Sequence, residues 1–129
     1  MIDRRIETRM LCADLVDFRW KDASGRKKRG VANLEDISVS GACLQVDRPV
    51  PLGTTIHITC PAGELSGVVK YCVFRDIGYF LGIEFDAGVR WSQIDYKPQH
   101  LLDPRRLMAR TSHRTGSSVG SEDETRAAG

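Results

Sequence analysis

The chain has few of the features that define metal-binding, secreted or membrane-spanning proteins. Its cysteines, Cys12, Cys43, Cys60 and Cys72, form no Cys-x-x-Cys pair and have no histidine close in sequence, so buried reduced thiols are a better interpretation than a zinc site. No segment approaches the roughly 18 apolar residues of a membrane span, and the amino terminus has no basic stretch followed by an apolar run. We therefore expect a cytoplasmic protein without membrane insertion, a location that suits free thiols.

The chain also has little excess of positive over negative charge and no recognisable catalytic motif. The formal net charge is +2, which is too small to indicate a nucleic-acid polymer as partner. The histidines, His57, His100 and His113, are dispersed and none lies in a nucleophile or metal motif. A basic run at residues 26–29 has no interleaved aromatic residue and is typical of a solvated loop. The sequence thus favours a protein that is not an enzyme and needs no cofactor.

What the sequence does contain is a strand-like period of two along most of its length. At 129 residues, with 41% hydrophobic side chains, the chain is long enough to bury one core. The predicted strands are 10–20, 28–37, 42–46, 55–60, 64–74 and 79–85. Asp22-Ala23-Ser24-Gly25 is a turn signal that makes a hairpin of the first pair. Because closure removes exposed strand edges, we predict an all-β fold: a six-stranded antiparallel barrel, closed or nearly so.

Beyond Asp86 the period of two is lost. A group of apolar residues there is expected to pack an irregular segment onto the barrel: Trp91, Ile94, Tyr96, Leu101 and Leu102. Asp103 followed by Pro104 is typical of a helix cap with proline at the first helical position, which predicts a short helix through about Ala109.

The chain is accordingly divided into three parts. Residues 1–10 are expected to be a flexible segment rich in arginine, and residues 10–108 form the barrel domain. Residues 109–129 contain mainly serine, threonine, glycine, arginine and acidic side chains. Such a composition cannot bury enough apolar surface to order itself, so we predict a disordered tail.

The second predicted strand ends in a group of polar residues. Asp36 and Ser38 are two positions apart and are expected on one face, while Ile37 and Val39 point to the other and can enter a core. After Gly41 the apolar positions change from odd to even numbers, which predicts a bulge or turn at Ser40-Gly41. Glycine tolerates the positive φ that such a kink often requires. The sequence therefore places a carboxylate, a hydroxyl and exposed backbone at one kinked strand end.

These residues also carry a family resemblance. Asp36, Ser38 and Gly41 form the pattern D-x-S-x-x-G, which follows R-x-x-x-R from Arg5 to Arg9. The paired motifs resemble the signature of PilZ domains, and the resemblance covers roughly residues 4–86. It implies a small six-stranded antiparallel barrel that binds the bacterial second messenger cyclic di-GMP. The arginines of a flexible amino-terminal segment would close over the ligand, and the second motif would supply contacts from the barrel.

The chemistry of this implied ligand suits the residue types. Arginine can pair with guanine O6 and N7, hold a phosphate through two hydrogen bonds or stack on a base. A carboxylate at Asp36 can accept from guanine N1–H and N2–H, Ser38 can bond the ligand or a polar neighbour, and Gly41 lets backbone approach. Arg4 resembles the additional arginine of family members that take up a stacked pair of nucleotides. The implied binding residues are Arg4, Arg5, Arg9, Asp36, Ser38 and Gly41.

The resemblance leads to one expected function and leaves two alternatives. The expected function is a cyclic di-GMP receptor that signals to an unidentified downstream protein when its amino-terminal segment becomes ordered. The first alternative is a PilZ-like interaction module that binds a protein and no nucleotide. The second is a small barrel that binds single-stranded nucleic acid, with an affinity that falls steeply as salt rises.

Overall fold

The computed structural model describes residues 7–61 and 63–106, and within them the chain forms six strands. The strands are β1 (Met10–Lys21), β2 (Lys27–Ile37), β3 (Gly41–Val46), β4 (Thr55–Cys60), β5 (Gly63–Arg75) and β6 (Gly78–Phe85). They close into a barrel in the order β1-β2-β3-β6-β5-β4, and all neighbouring strands are antiparallel. The predicted barrel is confirmed.

The hairpin of β1 and β2 is closed by the predicted turn at Asp22. Its carboxylate oxygen Oδ1 accepts hydrogen bonds from the backbone N–H of Ser24 and Arg26, both at 2.9 Å, and from the Ser24 hydroxyl at 2.7 Å. Gly25 adopts a φ of 86°, a conformation that favours glycine. An aspartate that bonds the backbone of its own turn explains why the chain reverses here.

The core lies inside the barrel and is made by the alternating apolar positions of the strands. In β4, Ile56 and Ile58 are buried while His57 between them is not. The largest fully buried apolar side chains are Leu34, Ile37, Leu44, Ile56, Ile58, Val69 and Leu81. Each such side chain contributes about 1.5–3 kcal/mol through its removal from water. The polar positions between them face outward, which leaves the outer surface of the barrel free to carry a site.

The segment after β6 packs against the barrel, but only in part as predicted. Trp91 and Tyr96 are buried, and the indole Nε1 of Trp91 donates to the backbone carbonyl of Tyr96 at 2.8 Å. Leu101 packs against the core, and Leu102 forms an antiparallel bridge to β1. The expectation for Ile94 is wrong, because its side chain is 95% exposed. It lies in the turn 93–95, between the buried Trp91 and Tyr96.

Asp103 begins the short helical stretch at residues 104–106. Its Oδ1 accepts from the backbone N–H of Arg105 at 2.9 Å, as a capping residue does. The predicted continuation to about Ala109 and the tail at 109–129 lie outside the described residues. No helix in the described ranges is long and apolar enough to cross a membrane.

Candidate functional site

The connection between β2 and β3 is tight and is held by several backbone hydrogen bonds. The N–H of Ser38 donates to the Gly41 carbonyl at 2.8 Å, which leaves Val39 and Ser40 at the tip. The Val39 carbonyl accepts from the Trp91 N–H at 3.1 Å, and the Ser40 carbonyl accepts from an N–H of β6 at 2.8 Å. The tip is therefore fixed from both sides by elements distant in sequence.

The expected division of faces fails beyond Ile37. Asp36 is partly exposed and Ile37 is buried, as predicted, but Ser38 is fully buried and Val39 is 38% exposed. The strand ends at Ile37, so the alternation on which the prediction relied stops there. As a result Ser38 is buried and does not share the exposed face of Asp36.

Gly41 is required for a different reason from the predicted one. Its φ is not positive; the positive-φ glycines among the described residues are Gly25, Gly53, Gly63, Gly78 and Gly88. Instead, a Cβ atom at Gly41 would lie 2.5 Å from the backbone carbonyl oxygen of Ile83 in β6. The close approach that this glycine permits is that of a neighbouring strand, and it sets the spacing of β3 and β6 beside the site.

Arg9 and Asp36 bring the two sequence motifs together. The Arg9 guanidinium donates to Asp36 Oδ1 through Nε at 3.1 Å and through Nη2 at 2.6 Å, although the two residues are 27 positions apart. Leu11 on β1 is the cross-strand partner of Asp36, so the strand pairing itself carries Arg9 to this position. The two side chains are 51% and 21% exposed, and an ion pair of this kind contributes only about 0–1 kcal/mol. It can therefore be exchanged for other partners at small cost.

Glu7 contacts the same connection and was missed by the sequence analysis. Its Oε1 accepts from the hydroxyls of Ser40 at 2.6 Å and of Ser38 at 2.9 Å. The pKa of Glu7 is held below its ordinary value, chiefly by the hydrogen bond from Ser40. Ser38 and Arg9 also lower the pKa, whereas burial raises it. A carboxylate between the two arginines of R-x-x-x-R was the available signal. The two implied residues Arg4 and Arg5 lie outside the described residues.

Tyr71 forms the outer wall of the site. Register places Asp36, Cys43, Gly82 and Tyr71 side by side across β2, β3, β6 and β5. A Cβ atom at Gly82 would overlap the Tyr71 ring, so the ring lies flat across β6, and its hydroxyl reaches Cys43 Sγ at 3.8 Å. Burial raises the pKa of Tyr71, and Cys43 and Asp36 add to this. An aromatic face, 44% exposed as a residue, thus lies beside the acidic group.

A separate cavity of about 840 Å³, here called the distal cavity, lies where β1 ends and where β2 and β4 begin. Its cationic lining residues are Arg19, Lys21, Lys27, Lys28 and Arg29. Trp20 also lines it and is the cross-strand partner of Lys28, so the basic run does have an aromatic neighbour, contrary to its appearance in sequence. None of the motif residues that the structure describes lines this cavity, which makes its side chains useful controls for the motif site.

The cysteines are free thiols, of which Cys12 and Cys43 are buried and Cys60 and Cys72 partly so. Burial raises the pKa of Cys12 to about 12 and that of Cys60 to about 11. Such thiols remain protonated and unreactive near neutral pH. In the described part of the chain, no group of three or more histidine, cysteine or acidic residues is arranged to hold a metal ion.

No protein-family model and no curated protein matches the chain. Solved structures do match. The PilZ domain of YcgR from Escherichia coli with c-di-GMP is 14% identical, with a TM-score of 0.52, over 91% of this chain and 100% of that chain. A crystal structure of YcgR in complex with c-di-GMP matches at 14% identity and a TM-score of 0.52, over 90% of this chain and 49% of that one. The c-di-GMP complex of MrkH from K. pneumonia is 16% identical, with a TM-score of 0.52, over 92% and 57% of the two chains.

These similarities establish the fold. The chain is a closed antiparallel barrel with a polar site at the connection of β2 and β3. More particularly, it is a PilZ-type barrel, and the predicted resemblance is confirmed at the level of structure. The chain spans about half the length of the longer YcgR and MrkH chains that it matches.

Proposed function

We propose that this protein is a receptor for cyclic di-GMP, bound by the arginine segment and the connection of β2 and β3. The observation that carries the proposal is the contact of Arg9 with Asp36, which joins the two motifs at one point on the barrel. The similar structures from E. coli and K. pneumonia are complexes with c-di-GMP, which supports the choice of ligand. The alternative, an interaction module without nucleotide, does not explain why both motifs are present and adjacent.

The arrangement offers a partner for each part of the messenger. Asp36 presents a carboxylate that can accept from the N1–H and N2–H of guanine once Arg9 turns to a phosphate or to the O6 and N7 edge. Tyr71 presents an aromatic face on which a base can stack. Arg4 and Arg5 are proposed to add further guanidinium groups, with Arg4 assisting a second, stacked messenger. Binding uses no catalytic step.

Signalling follows from the position of the arginines. Within residues 1–10, the part that precedes β1 is proposed to become ordered around the messenger when its guanidinium groups bind it, and to change the surface that a downstream protein contacts. Ordering costs about 1–2 kcal/mol for each backbone unit fixed. The contacts to phosphate and guanine must offset this cost, so ordering and ligand binding are coupled.

The test is isothermal titration calorimetry with cyclic di-GMP, compared with GMP and cyclic di-AMP. Arg9→Ala and Asp36→Ala are expected to weaken binding by roughly tenfold to a hundredfold, since a paired contact of this kind contributes about 1–3 kcal/mol. Arg29→Ala, which removes the same charge from the distal cavity, should leave affinity unchanged. Folded variants at positions 5, 9 and 36 that all bind like wild type would overturn the site. A wild-type protein that binds no nucleotide would favour the interaction module.

A further inference from the structure

Glu7 occupies the site that the messenger is proposed to use. Its carboxylate accepts hydrogen bonds from the hydroxyls of Ser38 and Ser40, and Ser38 is fully buried at the connection of β2 and β3. Glu7 lies two residues before Arg9, so one short segment carries both a group that would attract the ligand and a group that would repel it. Hydrogen bonds to an ionised acceptor are about twice as strong as those between neutral groups.

Glu7 is the principal hydrogen-bond acceptor for the two hydroxyls in this conformation. Besides Glu7, the only contact of the Ser38 hydroxyl within the described residues is a long one of 3.4 Å to the Gly41 carbonyl. The hydroxyls are thus saturated by a negative charge from the chain itself. A phosphodiester is also an anion that accepts from hydroxyls, so it competes with Glu7 for the same donors and is repelled while Glu7 remains.

We propose that Glu7 is an intramolecular competitor that sets the affinity of the site. In the free protein the Glu7 carboxylate binds Ser38 and Ser40 and holds residues 7–9 against the barrel. The messenger binds when this carboxylate is released, so that ordering of the arginine segment around the ligand begins with the loss of a contact. This inference rests on the proposed function, because it concerns the affinity of the same site for cyclic di-GMP.

Titration with cyclic di-GMP tests the competition. Glu7→Gln keeps the shape of the side chain but removes its charge, and should tighten binding by roughly fivefold to tenfold, the difference between a charged and a neutral acceptor. Ser40→Ala removes the shorter of the two Glu7 contacts without changing the D-x-S-x-x-G residues, but it also removes a donor to the phosphodiester, so it should tighten binding less than Glu7→Gln. In the Glu7→Gln background Ser40→Ala should weaken binding, since no ionised competitor remains to be released and only the donor to the ligand is lost.

Glu7→Gln also removes a negative charge near an anionic ligand, and this general effect must be distinguished from loss of the Glu7 contact with the serines. Glu35→Gln is the matched control, because Glu35 adjoins Asp36 but its carboxylate accepts from Asn33 and not from the serines. Long-range repulsion is screened at high salt, where the Debye length falls to about 3 Å at 1 M. The Glu7→Gln effect should therefore exceed that of Glu35→Gln and persist in 0.5 M salt. Equal effects of the two variants, or unchanged or weaker binding by Glu7→Gln, would overturn the proposal.

A measurement without ligand separates this inference from the receptor function. In the free protein, Glu7→Gln should increase trypsin cleavage after Arg9 by roughly the same factor as it tightens binding, because the segment is released. Glu35→Gln should be cleaved like wild type. Unchanged cleavage would contradict the restraint by Glu7 even if cyclic di-GMP binds. If Glu7→Gln is cleaved faster but the wild-type protein binds no nucleotide, the restraint by Glu7 is supported and the receptor function is refuted.

Discussion

At the scale of single residues, the site depends on side chains that local sequence patterns do not bring together. Asp36 follows from its motif, whereas Tyr71 is distinguished from the other aromatic residues by the register that places it in the same row across the barrel. Its ring covers Gly82, where a larger residue would displace it. An aromatic side chain that lies flat beside an acidic group is suited to stack on a guanine that the acid pairs with.

Removal of the Tyr71 ring is expected to weaken cyclic di-GMP binding. Tyr71→Ala should lose roughly tenfold in affinity, since stacking of a base on an aromatic ring contributes about 1–3 kcal/mol. Tyr71→Phe keeps the ring and should bind like wild type. Phe74→Ala is the control, because Phe74 is a 63% exposed aromatic residue on the same strand, outside the row. Calorimetry that finds Tyr71→Ala and Phe74→Ala equally harmless would exclude stacking on Tyr71.

At the scale of elements, β3 and β6 approach closely at Gly41, and this contact fixes the end of the site. Gly41→Ala places a Cβ atom 2.5 Å from a backbone carbonyl that cannot move aside as a side chain would. We expect the free energy of unfolding to fall by about 1–3 kcal/mol, as for other overpacked positions. Chemical denaturation measures this. Val39→Ala, at the exposed tip, should change it little, and a Gly41→Ala variant as stable as Val39→Ala would refute the assigned contact.

The same element shows what the sequence could and could not predict. The six strands follow from alternation, a local pattern that burial of one face imposes on each strand. The burial of Ser38 and exposure of Val39 were not predictable in this way, because alternation stops where the strand ends. The reason for Gly41 was missed because its neighbour, Ile83, is distant in sequence. Glu7 was missed for the same reason, since its serine partners are 31 and 33 positions away.

At the scale of the whole molecule, the barrel and its site depend on the segment that follows β6. Trp91 and Tyr96 are buried against the barrel, and the Tyr96 hydroxyl donates to Asp14 Oδ2 at 2.7 Å. The backbone of Trp91 also holds the Val39 carbonyl at the tip of the site. The chain is joined back to β1 by the bridge at Leu102, after which the described structure contains only a capped helical turn.

Two truncations should therefore behave differently. A chain ending at Ala109 is expected to keep the thermal midpoint and the cyclic di-GMP affinity of the full chain, because all of these contacts remain. A chain ending at Arg90 lacks Trp91 and Tyr96 and should lose several kcal/mol of stability, since removal of one buried aromatic side chain alone costs about 3–5 kcal/mol. Thermal unfolding and calorimetry measure both effects. Loss of stability or binding in the chain that ends at Ala109 would show that residues beyond 109 belong to the domain. If the chain that ends at Arg90 is as stable as the full chain, the barrel and the connection of β2 and β3 do not depend on Trp91.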